Sequence, residues 1–130
     1  MAKVTPKGAP RIREGGAVRE VLDRIGDKWS LLVVGTLRAG PLRFGALEEG
    51  IAGISQRMLT LTLKHLVEDG LVTRTAYAEV PPRVEYALTA KGRALLPIID
   101  DMRAYGEDWL GAECAERGRS DLGHEELAVV

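Results

Sequence analysis

The spacing of apolar residues divides the chain into helical and strand-like stretches. Val18, Val21, Leu22 and Ile25 recur at i, i+3, i+4 and i+7, which predicts a short amphipathic helix over 18–25. Gly26 ends it, and Asp27 can cap the next helix, in which KWSLLVVGTLR runs to Arg38. Trp29, Leu31, Leu32, Val33, Val34 and Leu37 make this second helix apolar almost all round, so it is expected to be buried on most sides at the centre of the domain. Gly40-Pro41 is a breaker, Leu42-Arg43 reads as a short extended piece, and Phe44, Leu47 and Ile51 mark a small third helix over about 44–50. After the turn AGI, Ser55 is a good N-cap for a fourth helix that runs to about Asp69, with Gly70 at its C′ position.

The period then changes. LVTRTAY (71–77) and RVEYAL (83–88) alternate and carry β-branched and aromatic residues, which predicts two strands. AEVPP between them cannot join a ladder through its prolines and reads as a hairpin tip. Thr89 caps a last, long helix in which Leu95, Ile98, Ile99, Met102, Tyr105, Trp109 and Leu110 keep helical spacing, with Pro97 expected to kink or split it. The fold class is therefore mainly α with a small β-hairpin wing: a winged helix-turn-helix followed by a long C-terminal helix. Residues 1–15 read as a flexible basic arm, 16–115 as the folded domain and 116–130 as an acidic tail.

The fourth helix carries the candidate chemistry. At about 100° per residue, Leu59, Leu63 and Leu66 share the core side, with Ser55 and Thr62 near its edges. Arg57, Thr60, Leu61 and Lys64 collect on the opposite arc, with Gln56 beside them. The major groove offers a helix the acceptors of guanine, the donor and acceptor of adenine, and the thymine methyl. Arg57 suits guanine, Gln56 adenine, Ser55 and Thr60 phosphates or base edges, and Leu61 a thymine methyl. The bland alternative is a solvated face with one exposed leucine, which is common. Arg83, after Pro81-Pro82, is a candidate minor-groove contact from the wing, weighed against a pair with Glu79 or Glu85. Lys28 and Arg43, at the starts of two other elements, are candidate phosphate contacts.

Composition narrows the class. A length of 130 residues fits one domain with a real core, and 45% apolar with 28% charged is ordinary for a soluble globular protein. No apolar run reaches the roughly 18 residues of a membrane span, and MAKVTPKGAPRIR lacks the apolar core of a secretory signal. The single cysteine, Cys114, allows no intrachain disulfide and fits a cytoplasmic setting. The net charge of −1 hides an asymmetry: residues 1–97 hold 15 Lys/Arg against 10 Asp/Glu, whereas 98–130 hold 3 against 9. A local cationic face therefore survives an acidic whole-chain balance. No metal-ligand, nucleophile or phosphate-loop motif occurs, His65 and His124 stand apart, and neither enzymatic activity nor a cofactor is expected.

The stretches IGDKWSLLVVGTLRAGPLRF and GISQRMLTLTLKHLVEDGLVTRTAYAEVPPRVEYALTAKGRALLPII, with the trailing Trp109, resemble the HxlR family of bacterial winged-helix transcriptional regulators over about residues 16–112. The resemblance implies a MarR-like fold, a homodimer built by the first and last helices, and binding to double-stranded DNA at a short palindromic operator, with a repressor as the expected sense of regulation. Where many members carry a cysteine followed by proline, this chain has Gly16-Ala17, so a thiol switch there is not expected. Leu61-Thr62 stands where polar residues such as glutamines are usual, which bears on the operator sequence.

Dimerisation also follows from the stripe itself. Ile98, Met102, Tyr105, Trp109 and Leu110 extend past what the domain needs for its own core, and Val18, Val21 and Leu22 can add to the same seam. A small-molecule effector near Trp29, Met102, Tyr105 or Trp109 is a further candidate partner, set against plain core packing. The competing function is a winged helix used as a protein-interaction module without specific DNA binding. Salt separates the two, because phosphate contacts release counterions and apolar interfaces do not.

Overall fold

The computed structural model describes residues 16–111, so the expected arm and tail, with Cys114 and His124, lie outside the described residues. The elements in order are α1 Ala17–Ile25, α2 Ser30–Thr36 continued by a 3-10 turn Leu37–Ala39, α3 Phe44–Gly50, α4 Gln56–Glu68, β1 Val72–Tyr77, β2 Arg83–Leu88, α5 Ala90–Arg93 and α6 Leu96–Trp109. This is the expected winged helix-turn-helix, with α3 and α4 as its two helices.

Asp27 starts α2 as its position suggested. Its carboxylate accepts the amides of Trp29 and Ser30 at 3.0 and 3.1 Å and the Ser30 hydroxyl as well. Partial burial pushes this carboxyl up, but the Ser30 hydroxyl and the two amides outweigh it and hold the carboxyl below its ordinary value. Val33, Val34 and Leu37 are fully buried and make this segment the centre of the core. The helix is not covered all round, however: Leu32 is 50% exposed. Ile25, Leu47, Ile51 and Ile54 pack around that centre together with Leu59, Leu63 and Leu66 of α4.

The wing is anchored at its base by the end of α4. Gly70 adopts φ +79°, the left-handed conformation that glycine takes without a Cβ penalty. It lets the Leu71 amide donate to the Leu66 carbonyl at 2.9 Å and the Gly70 amide to Val67 at 3.0 Å. This is the Schellman arrangement, and the accompanying contact is made by Leu66 and Leu71, both buried. β1 then pairs antiparallel with β2 from Val72↔Leu88 to Tyr77↔Arg83. Leu42 adds a third, one-residue rung by exchanging hydrogen bonds with Tyr86 at 2.9 and 2.8 Å.

The C-terminal helix is split in two, one of the outcomes expected of Pro97. Pro97 has no N–H to give the Arg93 carbonyl, so the chain breaks at Ala94-Leu95 and restarts with proline in the first turn of α6. Thr89 caps α5 by accepting the Gly92 amide at 3.0 Å and donates its hydroxyl proton to the Gly70 carbonyl at 2.7 Å. Gly92 is buried where a Cβ would lie 2.2 Å from the Leu71 carbonyl oxygen. Gly92→Ala is therefore expected to cost about 1–3 kcal/mol through overpacking against fixed backbone. Gly45→Ala, on open helix surface, should be neutral or stabilising by up to about 1 kcal/mol. Urea unfolding of the two variants checks the contrast; equal stabilities would mean the α5 contact does not constrain the fold.

Candidate nucleic-acid interface

α4 separates its residues into two faces. Leu59, Thr62, Leu63 and Leu66 are buried, whereas Gln56, Arg57, Thr60, Leu61 and Lys64 are exposed. Thr62 thus belongs to the core, and its departure from the family pattern concerns packing, not the exposed arc. Leu61 is 42% exposed in the middle of that arc. Gln56, Arg57, Thr60, Leu61 and Lys64, with Phe44 from α3, line an open depression of about 510 Å³. Phe44 was absent from the sequence-based set because its place at the start of a helix that packs on the core gave no sign of a second role. An α-helix with its side chains is about 10–12 Å across, close to the roughly 12 Å width of the DNA major groove.

The polar groups divide by what already engages them. The Ser55 hydroxyl accepts the Met58 amide at 3.0 Å, the N-cap expected of it. The Thr60 hydroxyl donates to the Gln56 carbonyl at 2.9 Å. That proton is spent inside the helix, while the hydroxyl oxygen keeps its capacity to accept a hydrogen bond. Arg57 and Lys64 form no ion pair among the described residues, although Arg24, Arg38, Arg83 and Arg103 each do. The two cations of the exposed arc are thus open to an external anion, as are Lys28, Arg43 and other described cations that no carboxylate takes up. Lys28 is exposed beside Trp29, its ammonium 4.8 Å from the ring centroid, and Arg43 is exposed at the start of α3.

Arg83 makes the pairs that were weighed for it beside a minor-groove contact. Its guanidinium reaches Glu79 at 2.6 Å and Glu85 at 2.8 Å and lies 3.8 Å over the Tyr77 ring. Tyr77 is its cross-strand partner and Glu85 lies two residues along the same strand, so the hairpin register itself brings these groups together. Hydrogen bonding to Glu79 first, and to Glu85, raises the Arg83 pKa, while Arg83 holds the Glu79 carboxyl below its ordinary range with a smaller pull from Arg43. The tip itself presents Val80, fully exposed, and the two prolines after it.

Exposed apolar side chains also occur on α1, α2 and α6. Val18, Val21 and Leu22 of α1, Leu32 of α2, and Ile98, Met102, Tyr105 and Trp109 of α6 are each between 46% and 73% exposed, with Leu110 at 36% just beyond α6. Ile99 turns the other way, packs on the core and comes within 4.0 Å of where a Cβ on Gly35 would stand. Trp29 is half-buried against the core, apart in character from the exposed Met102, Tyr105 and Trp109. Leu32 was missed among these residues because its neighbours made the whole helix look buried. Arg38 joins α6 to the turn after α2 by pairing with Asp100 at 2.6 Å, and Arg103 meets the same carboxylate at 2.8 Å.

Comparison with known proteins gives a consistent result. The family model described as HxlR-like helix-turn-helix matches residues 24–114. A helix-turn-helix-type transcriptional regulator of Methanothermobacter thermautotrophicus is 47% identical over 91 residues, covering 70% of both chains. The helix-turn-helix-type regulator sll1512 of Synechocystis is 42% identical over 99 residues, covering 76% of this chain and 73% of its own. The crystal structure of a MarR-family transcriptional regulator from Porphyromonas gingivalis superposes with a TM-score of 0.71 at 40% identity, over 75% of this chain and 96% of that one.

The wing cluster makes a local prediction. In the double variant Glu79→Gln, Glu85→Gln, the Arg83 Nε–H loses its ionised partners and should exchange with water several-fold faster by NMR, with little change in melting temperature. In the wild type the Glu79 pairing holds at neutral pH and is lost only as pH falls through that carboxyl's depressed pKa. Fast exchange already in the wild type at neutral pH would show that the pairs do not persist in solution.

Proposed function

The chain belongs to the HxlR family of helix-turn-helix transcriptional regulators, and from that premise we propose that it acts as a homodimeric repressor on a short palindromic operator in the cytoplasm. Regulators of this kind are DNA-binding proteins and not enzymes. The observation that carries the reading is the exposed arc of α4, where Gln56, Arg57, Leu61 and Lys64 stand opposite a buried leucine stripe and the two cations are unpaired among the described residues. With α4 in the major groove, Arg57 addresses guanine, Gln56 adenine, and Lys64 the phosphate rim. Ser55 and the exposed Lys28 and Arg43 add backbone contacts, which set register without reading sequence. Arg83 supports the wing's shape through its ion pairs and reaches the duplex only by exchanging a carboxylate for a phosphate.

Two copies joined along α1 and α6 would bury the exposed apolar residues of both helices and set two α4 helices about 34–36 Å apart, one turn of duplex. A dimer so seated on a promoter represses by occupying the duplex that polymerase needs. No helix of the described residues is long and apolar enough to cross a membrane.

Three outcomes are expected. Binding to the upstream region of its own or a neighbouring gene, measured by gel shift, should weaken steeply with salt; salt-insensitive binding would favour a protein-interaction module. Arg57→Ala should cost about 1–3 kcal/mol on the specific site and relax one base position; a uniform loss on all sequences would make Arg57 a phosphate contact. Met102→Asp with Tyr105→Asp should give a folded monomer by light scattering and circular dichroism, and an unchanged mass would place the seam elsewhere.

A further inference from the structure

We infer that the centre of the α4 face reads the methyl group of a thymine, so that each operator half-site holds one thymine whose methyl carries binding energy. This rests on the DNA-reading function proposed above and specifies what that face prefers. The arc is not uniformly polar. Leu61 stands exposed at its middle, and Phe44 reaches the same depression from α3. Thr60 has committed its hydroxyl proton to the Gln56 carbonyl, so it adds to the floor a methyl and no free donor. Three side chains from two helices therefore make a small apolar floor, and Arg57 and Lys64 flank it with charges that no described carboxylate takes up.

That combination fits one feature of the duplex. On the major-groove edge only thymine presents a methyl, and it distinguishes T·A from the other pairs there. Phosphates line both sides of the groove and complement the flanking cations. A polar floor would gain nothing from that methyl, whereas an apolar floor desolvates it, and burying one such group changes affinity by about four-fold. Two symmetry-related half-sites make the expected effect of removing both methyls roughly fifteen-fold.

The test removes the methyl and nothing else. Duplexes that bind the full-length protein are selected from a randomised pool, and each thymine of the best binder is replaced by deoxyuridine. Affinities are measured for the wild type and for Leu61→Ala, whose truncated side chain is exposed and does not serve the core. The expected result is one symmetry-related thymine pair at which deoxyuridine weakens the wild type by roughly fifteen-fold, and at which Leu61→Ala shows no further loss. If every thymine tolerates deoxyuridine, or the loss is undiminished in Leu61→Ala, methyl reading by this floor is wrong while DNA reading stands. If no duplex is enriched, the DNA-reading function falls and this inference with it.

Discussion

The interface depends on a knot of backbone at the base of the wing. The end of α4, the start of β1 and the cap of α5 meet there in consecutive hydrogen bonds. Leu71 donates to Leu66, Thr89 donates to Leu71, and the Thr89 side chain bridges the Gly70 carbonyl and the Gly92 amide. Lys91 closes the knot by donating to the Asp69 carbonyl at 2.7 Å, and Arg24 of α1 reaches the Asp69 carboxylate at 3.4 Å. These contacts tie α4, which carries the proposed reading face, to the hairpin beside it. A reading helix held only by its leucine stripe would be free to roll, and a roll of one position exchanges Leu61 for Thr62 on the outer arc. The knot and the stripe together make the exposed set of side chains unique.

Given that fixed frame, the local chemistry sorts the polar groups. The Thr60 hydroxyl proton is absorbed by the helix as a back-bond to the preceding turn, whereas the Ser55 hydroxyl accepts the Met58 amide and keeps its own proton to donate. Arg83 is absorbed by the wing, where Glu79, Glu85 and Tyr77 surround it. The side chains of the exposed arc that make no hydrogen bond or ion pair among the described residues are Gln56, Arg57 and Lys64, around Leu61. In the proposed reading, specificity rests on these groups, and the apolar centre gains weight because Thr60 beside it offers no free donor. The wing then contributes a shape and an exposed Val80-Pro81-Pro82 tip more than a charge.

Most of the fold was legible in the chain because local signals agreed with global packing. Ser55, Gly70 and Thr89 mark boundaries with their own chemistry, and α3, α4 and both strands fall within a residue of where those signals put them. The two sides of α4 were equally legible, since helical periodicity alone separates Leu59, Leu63 and Leu66 from Arg57, Leu61 and Lys64. Contacts distant in sequence were not. The Leu42–Tyr86 rung and the Arg38–Asp100 pair join residues tens of positions apart, and nothing local selects those partners. For Arg83, proximity to two glutamates was visible, but only the hairpin register shows that both reach it while Tyr77 lies beneath. For Leu32, a continuous apolar run erased the periodicity that would have shown one side facing out.

The last link runs from the proposed seam to the reading head. A dimer holds two α4 helices at a useful spacing only if α6 cannot swing against the domain it belongs to. Pro97 severs the continuous helix that would otherwise have supplied that stiffness, so side chains must restore it. Ile99 packs onto the core near Gly35, and Arg38 clamps Asp100, one residue farther along α6. Arg38 hydrogen bonds to Asp100 first, and Arg103 adds to it, so this carboxyl is held below its ordinary range and stays ionised through neutral pH. The apolar contact and the ion pair fall on successive residues, facing α2 from different sides of the helix. The proline break ends α5, and the Ile99 contact, with a small addition from the exposed Arg38–Asp100 pair, attaches α6 to the domain.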